Sequence, residues 1–366
     1  MRSDLRIAAA ILCGLALTAC GGASTPPATS GAAGSVAAPS TGIEVGRYQG
    51  GDRPQLLEAG ARKEGAVNWY TVMAGDAIEA TANGFKQKYP YLKVDVFRAD
   101  AADLLTRASQ EDQAGKRVFD VVDVASPYID QLAQQSTPFF SPSIANYPPE
   151  LKFGVNGALV QTASDWTTII GFGYNTQLIP ESAVPKTQAD LLNPALSGKL
   201  SLAGTGTGWY WVGSILKGMG EENGRKFLDQ FAKQQKPAVQ QISGKALLDL
   251  IAKGEVPASP TIFRDHVRQA AQNQKAPVAW VPLEPVATLA TKMAYAAKAP
   301  HPNAGMLFVD YILGAEGQQI LKDHFYTTAG GEKLPYQLWL PGEGKPADEA
   351  AKENQTWADL FKGYFR

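Results

Sequence analysis

Cysteine and runs of one charge are scarce in this sequence. Only two of its 366 residues are cysteines, Cys13 and Cys20, and both lie near the N-terminus. The formal net charge is -1 and no lysine- or arginine-rich run occurs, so the electrostatic basis for binding nucleic acid or an anionic membrane surface is missing. With 45% hydrophobic and 19% charged residues, the composition is typical of a soluble globular protein, and the length allows two domains.

Motifs of common enzyme classes are incomplete or missing. The glycine-rich residues 204–208 (GTGTG) lack the Lys-Ser/Thr pair that a P-loop needs to reach phosphates and magnesium. Residues 214–217 (SILK) match S-x-x-K, but neither S-D-N nor K-T-G accompanies them. His266, His301 and His324 are spaced too widely for a paired metal motif. The sequence therefore predicts no catalytic residue, no metal site and no cofactor, and we do not expect an enzyme.

The N-terminus has the pattern of an export signal. Arg2 and Arg6 flank its start, and the apolar residues 7–17 are too few to span a bilayer. The residues that follow (LTACG) resemble the lipobox of bacterial lipoproteins. This resemblance implies that residues 1–19 are a signal peptide and that the thiol of Cys20 is lipidated after cleavage.

A tether is predicted between this cysteine and the folded body. Residues 20–50 are rich in Ala, Gly, Ser, Thr and Pro, and offer little to bury. Cys13 would leave with the signal peptide, so the remaining Cys20 has no partner for an intramolecular disulfide. We expect an exported protein that is attached by its N-terminal lipid at the periplasmic face or the outer surface of the cytoplasmic membrane.

Beyond the tether, strand patterns alternate with helix patterns. Strands are predicted at residues 66–72, 93–97, 119–124, 166–174, 199–203, 278–281 and 288–297. Helices are predicted at residues 76–89, 101–114, 127–134, 209–217, 222–233, 245–252, 263–272 and 348–361. This alternation is typical of right-handed βαβ units in mostly parallel sheets.

Residues 297–321 (AKAPHPNAGMLFVDYILGAEGQQIL) contain the most specific pattern. Pro302 fits the first position of a helix, and an apolar stripe follows at Ala304, Leu307, Phe308, Tyr311 and Ile312. The words APHPNA before this helix and EGQQIL after it resemble the C-terminal segment of bacterial extracellular solute-binding proteins. The resembled branch includes ferric-ion, thiamine, polyamine and phosphonate binders, and the likeness extends more weakly over residues 65–321.

This resemblance implies an α/β, two-lobed periplasmic-binding-protein (Venus-flytrap) fold of type II, in which each lobe is a mostly parallel sheet flanked by helices. Residues 51–168 would form the first part of lobe 1 and residues 169–285 lobe 2. Residues 286–366 would return to lobe 1 and supply its C-terminal helices. The crossings between the lobes would form a hinge beside a ligand cleft.

Candidate ligand-binding residues follow the predicted strands. Open α/β sheets bind ligands beyond the carboxyl ends of their strands, where helix N-termini offer free N–H groups to anions. Nearby tryptophans add aromatic surface. The candidates are Met73, Ala74, Gly75, Ser126, Trp166, Thr205, Thr207, Trp209, Ser243, Gly244, Phe263 and Arg264. Simple helix capping explains Ser126 and Ser243 equally well.

A departure from the resembled family concerns metal. Its ferric-binding members carry two adjacent tyrosines after a strand that follows a Gly-Glu-x turn. In the matching residues 254–264 (GEVPASPTIFR), Ile262 and Phe263 stand at the tyrosine positions, and neither side chain coordinates metal. Arg264 next to them has the fork of donors that pairs with a carboxylate or phosphate.

These observations predict a monomeric, lipid-anchored substrate-binding protein of an ABC importer. It would bind a small-molecule solute, preferably an organic anion such as a phosphate ester or phosphonate, and deliver it to the transmembrane permease. No nucleic-acid partner is expected, and the membrane is reached through the lipid alone. Two alternatives stay open: a binder of ferric iron or an iron chelate with other ligands, such as Tyr70, Asp76 or Tyr128, and an exported enzyme on the same scaffold.

Overall fold

The computed structural model describes residues 39–125, 128–329, 334–342, 345 and 347–365. The predicted signal peptide, Cys20, most of the predicted tether and Ser126 therefore lie outside the described residues. Along the described chain, no helix combines the length and the apolar character that crossing a membrane requires.

The first half of the described chain contains five helices and five strands. In chain order they are α1 (Gly42–Arg47), α2 (Arg53–Glu64), β1 (Ala66–Thr71), α3 (Ala77–Lys88), β2 (Lys93–Arg98), α4 (Ala101–Gln113), β3 (Val121–Ala125), α5 (Tyr128–Gln131), β4 (Lys152–Phe153) and the long β5 (Thr162–Asn175). Each predicted strand of this half is present, and so are the helices predicted at residues 76–89 and 101–114, whereas α5 covers only four residues of the helix predicted at residues 127–134.

The second half of the described chain contains seven helices and six strands. They are β6 (Ser201–Ala203), α6 (Gly206–Met219), α7 (Glu221–Gln235), β7 (Ala238–Gln240), α8 (Gly244–Lys253), β8 (Ala258–Phe263), α9 (Arg264–Asn273), β9 (Val278–Val281), β10 (Val286–Tyr295), α10 (Pro302–Ile312), α11 (Ala315–Asp323), β11 (Leu338–Trp339) and α12 (Ala347–Tyr364).

Local sequence explains where α8 begins and ends. The hydroxyl of Ser243 accepts the backbone N–H of Ala246 and caps the first turn. Gly254 ends the helix in the left-handed conformation, with φ of 79°, which a glycine adopts without a steric penalty. Between them Leu247 and Ile251 lie on one face and are fully buried. The cap places the N-terminus of α8 next to the end of β7.

The main sheet is mixed and has the order β2-β1-β3-β10-β5-β4. The expected parallel pairing occurs within β2-β1-β3, whereas β10 runs antiparallel to both β3 and β5. The second half of β5 no longer pairs with β10, and it pairs antiparallel with β8 and β9 instead. β6 and β7 form a short parallel pair beside β8.

Buried side chains divide the molecule into two lobes. Lobe 1 contains the cores around Trp69, Phe85 and Phe308 and around Tyr70 and Phe119. Lobe 2 contains the cores built by α6, α7, α8 and β8. β5 passes from lobe 1 to lobe 2 and β10 returns, so these two strands connect the lobes, and we call them the hinge strands.

The C-terminal helix α12 belongs to lobe 2, although the sequence assigned residues 286–366 to lobe 1. Its residues Trp357 and Phe361 are buried against α6. Gly213 and Gly208 of α6 permit this approach, since a Cβ there would lie 2.8 Å from Trp357 and 2.6 Å from Phe361. The range 286–366 is thus divided, with α10 and α11 in lobe 1, and the chain crosses the hinge a third time.

Hydrogen bonds to two carboxylates fix the APHPNA segment, residues 299–304, where α10 begins. The carboxylate of Asp120 accepts the backbone N–H of His301 at 2.6 Å and lies 2.9 Å from its Nδ1; this hydrogen bond raises the pKa of His301. The carboxylate of Glu64 accepts the N–H groups of Asn303 and Ala304, at the beginning of α10. His301 therefore has the structural role that a turn before a helix suggests.

Candidate ligand-binding site

A cavity of about 470 Å³ lies between the two lobes, on one face of β5 and β10. Lobe 1 contributes the start of α4, the end of β3, Tyr128 and Tyr326. Lobe 2 contributes the starts of α6 and α8, together with Phe263 and His266. Trp166, Thr168 and Thr291 of the hinge strands form the floor. The size lies in the range of small-molecule sites.

The start of α6 presents polar groups that lack partners within the protein. Thr205 is the N-cap residue, and its side chain makes no capping hydrogen bond. The hydroxyl of Thr207, two residues further, is buried and has no hydrogen-bond partner among the described residues. An unpaired buried hydroxyl costs about 1–3 kcal/mol. A bound oxyanion that accepts a hydrogen bond from Thr207 would remove this cost.

Two cations line the cavity from opposite sides. Lys245 lies at the start of α8 and pairs with Asp249 at 2.6 Å. Arg98, at the end of β2, pairs with Asp100 at 3.1 Å and donates to the carbonyl of Met73. Both pairs are partly exposed, so the mutual attraction within each pair is weak. The positive ends of α6 and α8 add to the field on the lobe 2 side.

His266 is a cavity residue that the sequence pattern did not single out. It is 9% exposed, its ring packs edge-on against Phe263, and its Nδ1 has no hydrogen-bond partner among the described residues. Burial, and then the positive charges of Lys245 and Arg98, lower its pKa to about 3. The imidazole is therefore neutral at physiological pH and offers the cavity a donor or acceptor nitrogen.

Aromatic rings cover the lobe 1 side. Trp166 and Tyr326 are tilted against each other with centroids 5.2 Å apart. The hydroxyl of Tyr326 donates to the carbonyl of Ala74 at 3.2 Å and accepts its N–H at 3.1 Å. Tyr128 of lobe 1 also lines the cavity, and Tyr210 of α6 lines it from lobe 2. The arrangement provides an apolar platform for the carbon skeleton of a ligand.

The structure brings half of the sequence-predicted residues to this cavity. Those that line it are Trp166, Thr205, Thr207, Ser243, Gly244 and Phe263. Met73 and Ala74 are buried in lobe 1 behind Tyr326. Gly75 lies against Gln269, and Trp209 packs on the core of lobe 2. Ser126 lies outside the described residues.

Arg264 does not line the cavity, contrary to the expectation for an anion-binding side chain. It is 3% exposed and donates to the hydroxyls of Tyr336 and Thr327, both at 2.9 Å. As the first residue of α9 it points back across the hinge. Its guanidinium joins Thr327 and Tyr336 to the start of α9.

Missed residues share one feature. Lys245 and His266 are side chains within the first turn of a helix that follows a predicted strand or turn. The sequence pattern drew attention to the cap positions and their N–H groups. The residues that follow these caps in the same helical turn have longer side chains, which reach the cavity. Their position next to the caps is the feature of the sequence that could have identified them.

The described residues contain no group of three or more His, Cys, Asp or Glu side chains arranged to hold a metal ion. Ile262 is fully buried in lobe 2, and Phe263 lines the cavity. Of the alternative ligands, Tyr70 donates to Glu111 at 2.6 Å and Asp76 lies 3.0 Å from His324. Tyr128 alone of the three proposed metal ligands lines the cavity.

The family model for bacterial extracellular solute-binding proteins matches residues 93–363, well over half of the chain. The protein belongs to this family. Solute-binding proteins of this kind serve ABC transporters by delivering small solutes to permeases, and they are transport proteins rather than enzymes. No curated protein matches the sequence.

Solved structures share the fold of this solute-binding protein. The periplasmic binding protein AfuA from Actinobacillus pleuropneumoniae, with fructose-6-phosphate bound, is 20% identical, with a TM-score of 0.65 over 81% of this chain and 98% of that one. Iron-bound HitA from Pseudomonas aeruginosa is 18% identical, with a TM-score of 0.62 over 80% and 99%. The periplasmic binding protein P5PA is 19% identical, with a TM-score of 0.63 over 82% and 100%. These likenesses establish the type II periplasmic-binding-protein fold.

Proposed function

We propose that this solute-binding protein captures a small organic anion, such as a phosphate ester or phosphonate, and delivers it to the permease of an ABC importer. The observation that carries the proposal is the start of α6. There the unpaired hydroxyl of Thr207 lies beside the positive helix end, in a cavity that Lys245 also lines. An oxyanion satisfies all three groups at once.

The second part of the ligand is an organic body. The rings of Trp166, Tyr326 and Phe263 face the same cavity, and they bury apolar surface at roughly 25 cal/mol per Å². A free inorganic ion would leave the apolar surface of these rings exposed to water. The combination of one polar end and one aromatic wall therefore favours an anion that carries a carbon skeleton.

Iron is the competing ligand because one structural relative, HitA, is iron-bound. Ile262 and Phe263 supply no metal-coordinating atom, and Arg264 is engaged with Tyr336 and Thr327. Fe(III) prefers hard, anionic oxygen ligands. The chemistry of the described cavity residues fits an anion better than a bare ferric ion.

Native mass spectrometry tests the ligand class. The protein is purified gently and its native mass is compared with its denatured mass. An excess that fragments to a phosphorus-containing organic anion supports the proposal. An excess equal to iron or an iron chelate overturns it in favour of the metal alternative. Conversion of the released ligand by the purified protein would instead support an exported enzyme.

We further propose that a lipid on Cys20 holds the protein at the cell envelope and that the protein acts as a monomer. Support comes from the LTACG sequence before a tether-like segment. The test is a Cys20→Ser variant expressed in a bacterial host. We expect the wild type in the membrane fraction and the variant in the soluble fraction. Equal partition of the two proteins would contradict the anchor, and light scattering measures the oligomeric state.

A further inference from the structure

A second cavity, of about 570 Å³, lies on the other face of hinge strand β10. Side chains alternate along a strand: Thr288, Ala290 and Lys292 line this second cavity, Thr291 lines the cleft cavity, and Leu289 between them borders both. Phe153 belongs to lobe 1, and the other lining residues come from both lobes. We call it the hinge cavity.

Lys292 is the distinctive group of the hinge cavity. Its ammonium lies 3.9 Å from the centroid of the Phe153 ring. Among the described side chains, no carboxylate lies within ion-pair distance of it. Burial lowers the pKa of Lys292, and the negative charge of Asp130 opposes this shift only in part. A desolvated ammonium without a counter-ion is costly, and the ring offsets a part of the cost.

The rest of the lining is amphipathic. Ile129, Leu289 and Leu340 supply apolar surface next to Phe153, while Gln161 supplies an amide. The other charged groups of the lining are Asp130, Glu150, Lys152 and Lys345, and Lys345 pairs with Glu353 at 2.7 Å. The volume is in the range of small-molecule sites.

We propose that the hinge cavity is a second binding site, which takes a small organic carboxylate with an apolar body. The carboxylate pairs with the ammonium of Lys292, and the body lies on the Phe153 ring and the neighbouring aliphatic side chains. The pairing supplies a counter-ion that the described side chains do not provide, at an ammonium that is partly buried. Lys292 and Phe153 line the hinge cavity and not the cleft cavity, although Leu289 and Tyr210 line both.

The test uses benzoate as the probe and benzyl alcohol as its neutral counterpart, titrated calorimetrically into the full-length protein. We expect wild type to bind benzoate in the millimolar range and to bind benzyl alcohol at least about 10-fold more weakly, the value of one charge-assisted contact. In Lys292→Met we expect this preference for benzoate to disappear.

Lys253→Met is the matched control because it removes a lysine that lines neither the cleft cavity nor the hinge cavity. We expect its benzoate affinity to equal that of wild type. Loss of benzoate binding in Lys245→Met but not in Lys292→Met would place the carboxylate in the cleft and overturn the proposal. Equal benzoate affinity in wild type and Lys292→Met, or no saturable binding, would overturn it as well.

Folding of the variant is checked independently. Methionine fills a similar volume on the Phe153 ring without a buried charge, so thermal unfolding of Lys292→Met should occur at or above the wild-type temperature. Lys292→Gln serves as a second variant, since it retains a donor without the charge. Benzoate selectivity that survives in Lys292→Gln would show that the charge is not what binds the carboxylate.

Discussion

The two walls of the cleft cavity differ in chemistry. Lobe 2 presents the starts of α6 and α8, the unpaired hydroxyl of Thr207, and the side chains of Lys245 and His266. Lobe 1 and the hinge present the rings of Tyr128, Tyr326 and Trp166, together with Arg98 and two carboxylates, Asp100 and Asp103. The cation of each lobe has a carboxylate partner, Asp249 for Lys245 and Asp100 for Arg98. Under the proposed function, lobe 2 would bind the anionic group, and the rings of lobe 1 and the hinge would contact the carbon skeleton. Both sets of contacts form together only when the lobes face one another across the cleft.

The largest expected effect concerns the scaffold behind the lobe 2 wall. Phe361 of α12 is 2% exposed and packs against Gly208 in the first turn of α6. We expect Phe361→Ala to lower the free energy of unfolding by about 3–5 kcal/mol, because it leaves a cavity in the lobe 2 core. Urea denaturation measures this change. A loss below about 1 kcal/mol would contradict the placement of α12 on lobe 2.

The next effect separates the two walls by affinity. Lys245→Met should weaken the binding of phenyl phosphate, a probe with both a phosphate and a ring, by about 10- to 100-fold. Lys253 lies at the other end of the same helix and does not line the cavity, so Lys253→Met is the matched control and should bind like wild type. Equal losses in both variants would mean that the charge of lobe 2 acts only at long range.

Local patterns in the sequence predicted the elements well. The apolar stripe of α10 is buried as expected, and β5 and β10 form the hinge. A periodic pattern predicts which face of a helix is buried, but it does not predict which other element that face packs against. For this reason α12 was assigned to lobe 1, whereas Trp357 and Phe361 pack on glycines of α6 that lie far away in sequence.

The candidate site was predicted in part for the same reason. Cap positions are fixed locally, and Thr205 and Ser243 lie where the pattern places them, at the wall of the cavity. The direction of a long side chain depends on its distant neighbours. Arg264 turns away from the cavity because Tyr336 and Thr327 accept its donors, and no spacing in the sequence encodes these contacts.

His266 makes the lobe 2 wall sensitive to acid. Its pKa in the folded protein is about 3, below the ordinary value of 6.5, so the unfolded chain binds a proton that the folded protein does not. Stability from this residue is complete above the ordinary value and is lost as the pH falls toward the folded value. We expect a loss of about 2 kcal/mol between about pH 7 and pH 5.

The variant His266→Gln removes this titration. Its unfolding free energy, measured by urea denaturation over the same pH range, should fall by about 2 kcal/mol less than that of wild type. His301 is the control, since Asp120 raises its pKa and the sign of its contribution is opposite. A pH dependence in His266→Gln identical to that of wild type would show that the imidazole is solvated or paired in solution.

The smallest expected effect lies in lobe 1 and has the opposite sign. Asp165 is fully buried, Oδ2 has no hydrogen-bond partner among the described residues, and burial together with the nearby charge of Asp123 raises its pKa. The folded protein then holds a proton that the unfolded chain releases, so stability falls as the pH rises above the ordinary value of 3.8.

Asp165→Asn keeps the shape of the side chain without the charge. We expect it to raise the unfolding free energy by about 1 kcal/mol at about pH 8 and to have little effect near pH 4. Stabilisation that is equal at both pH values would mean that the carboxyl does not titrate in the core.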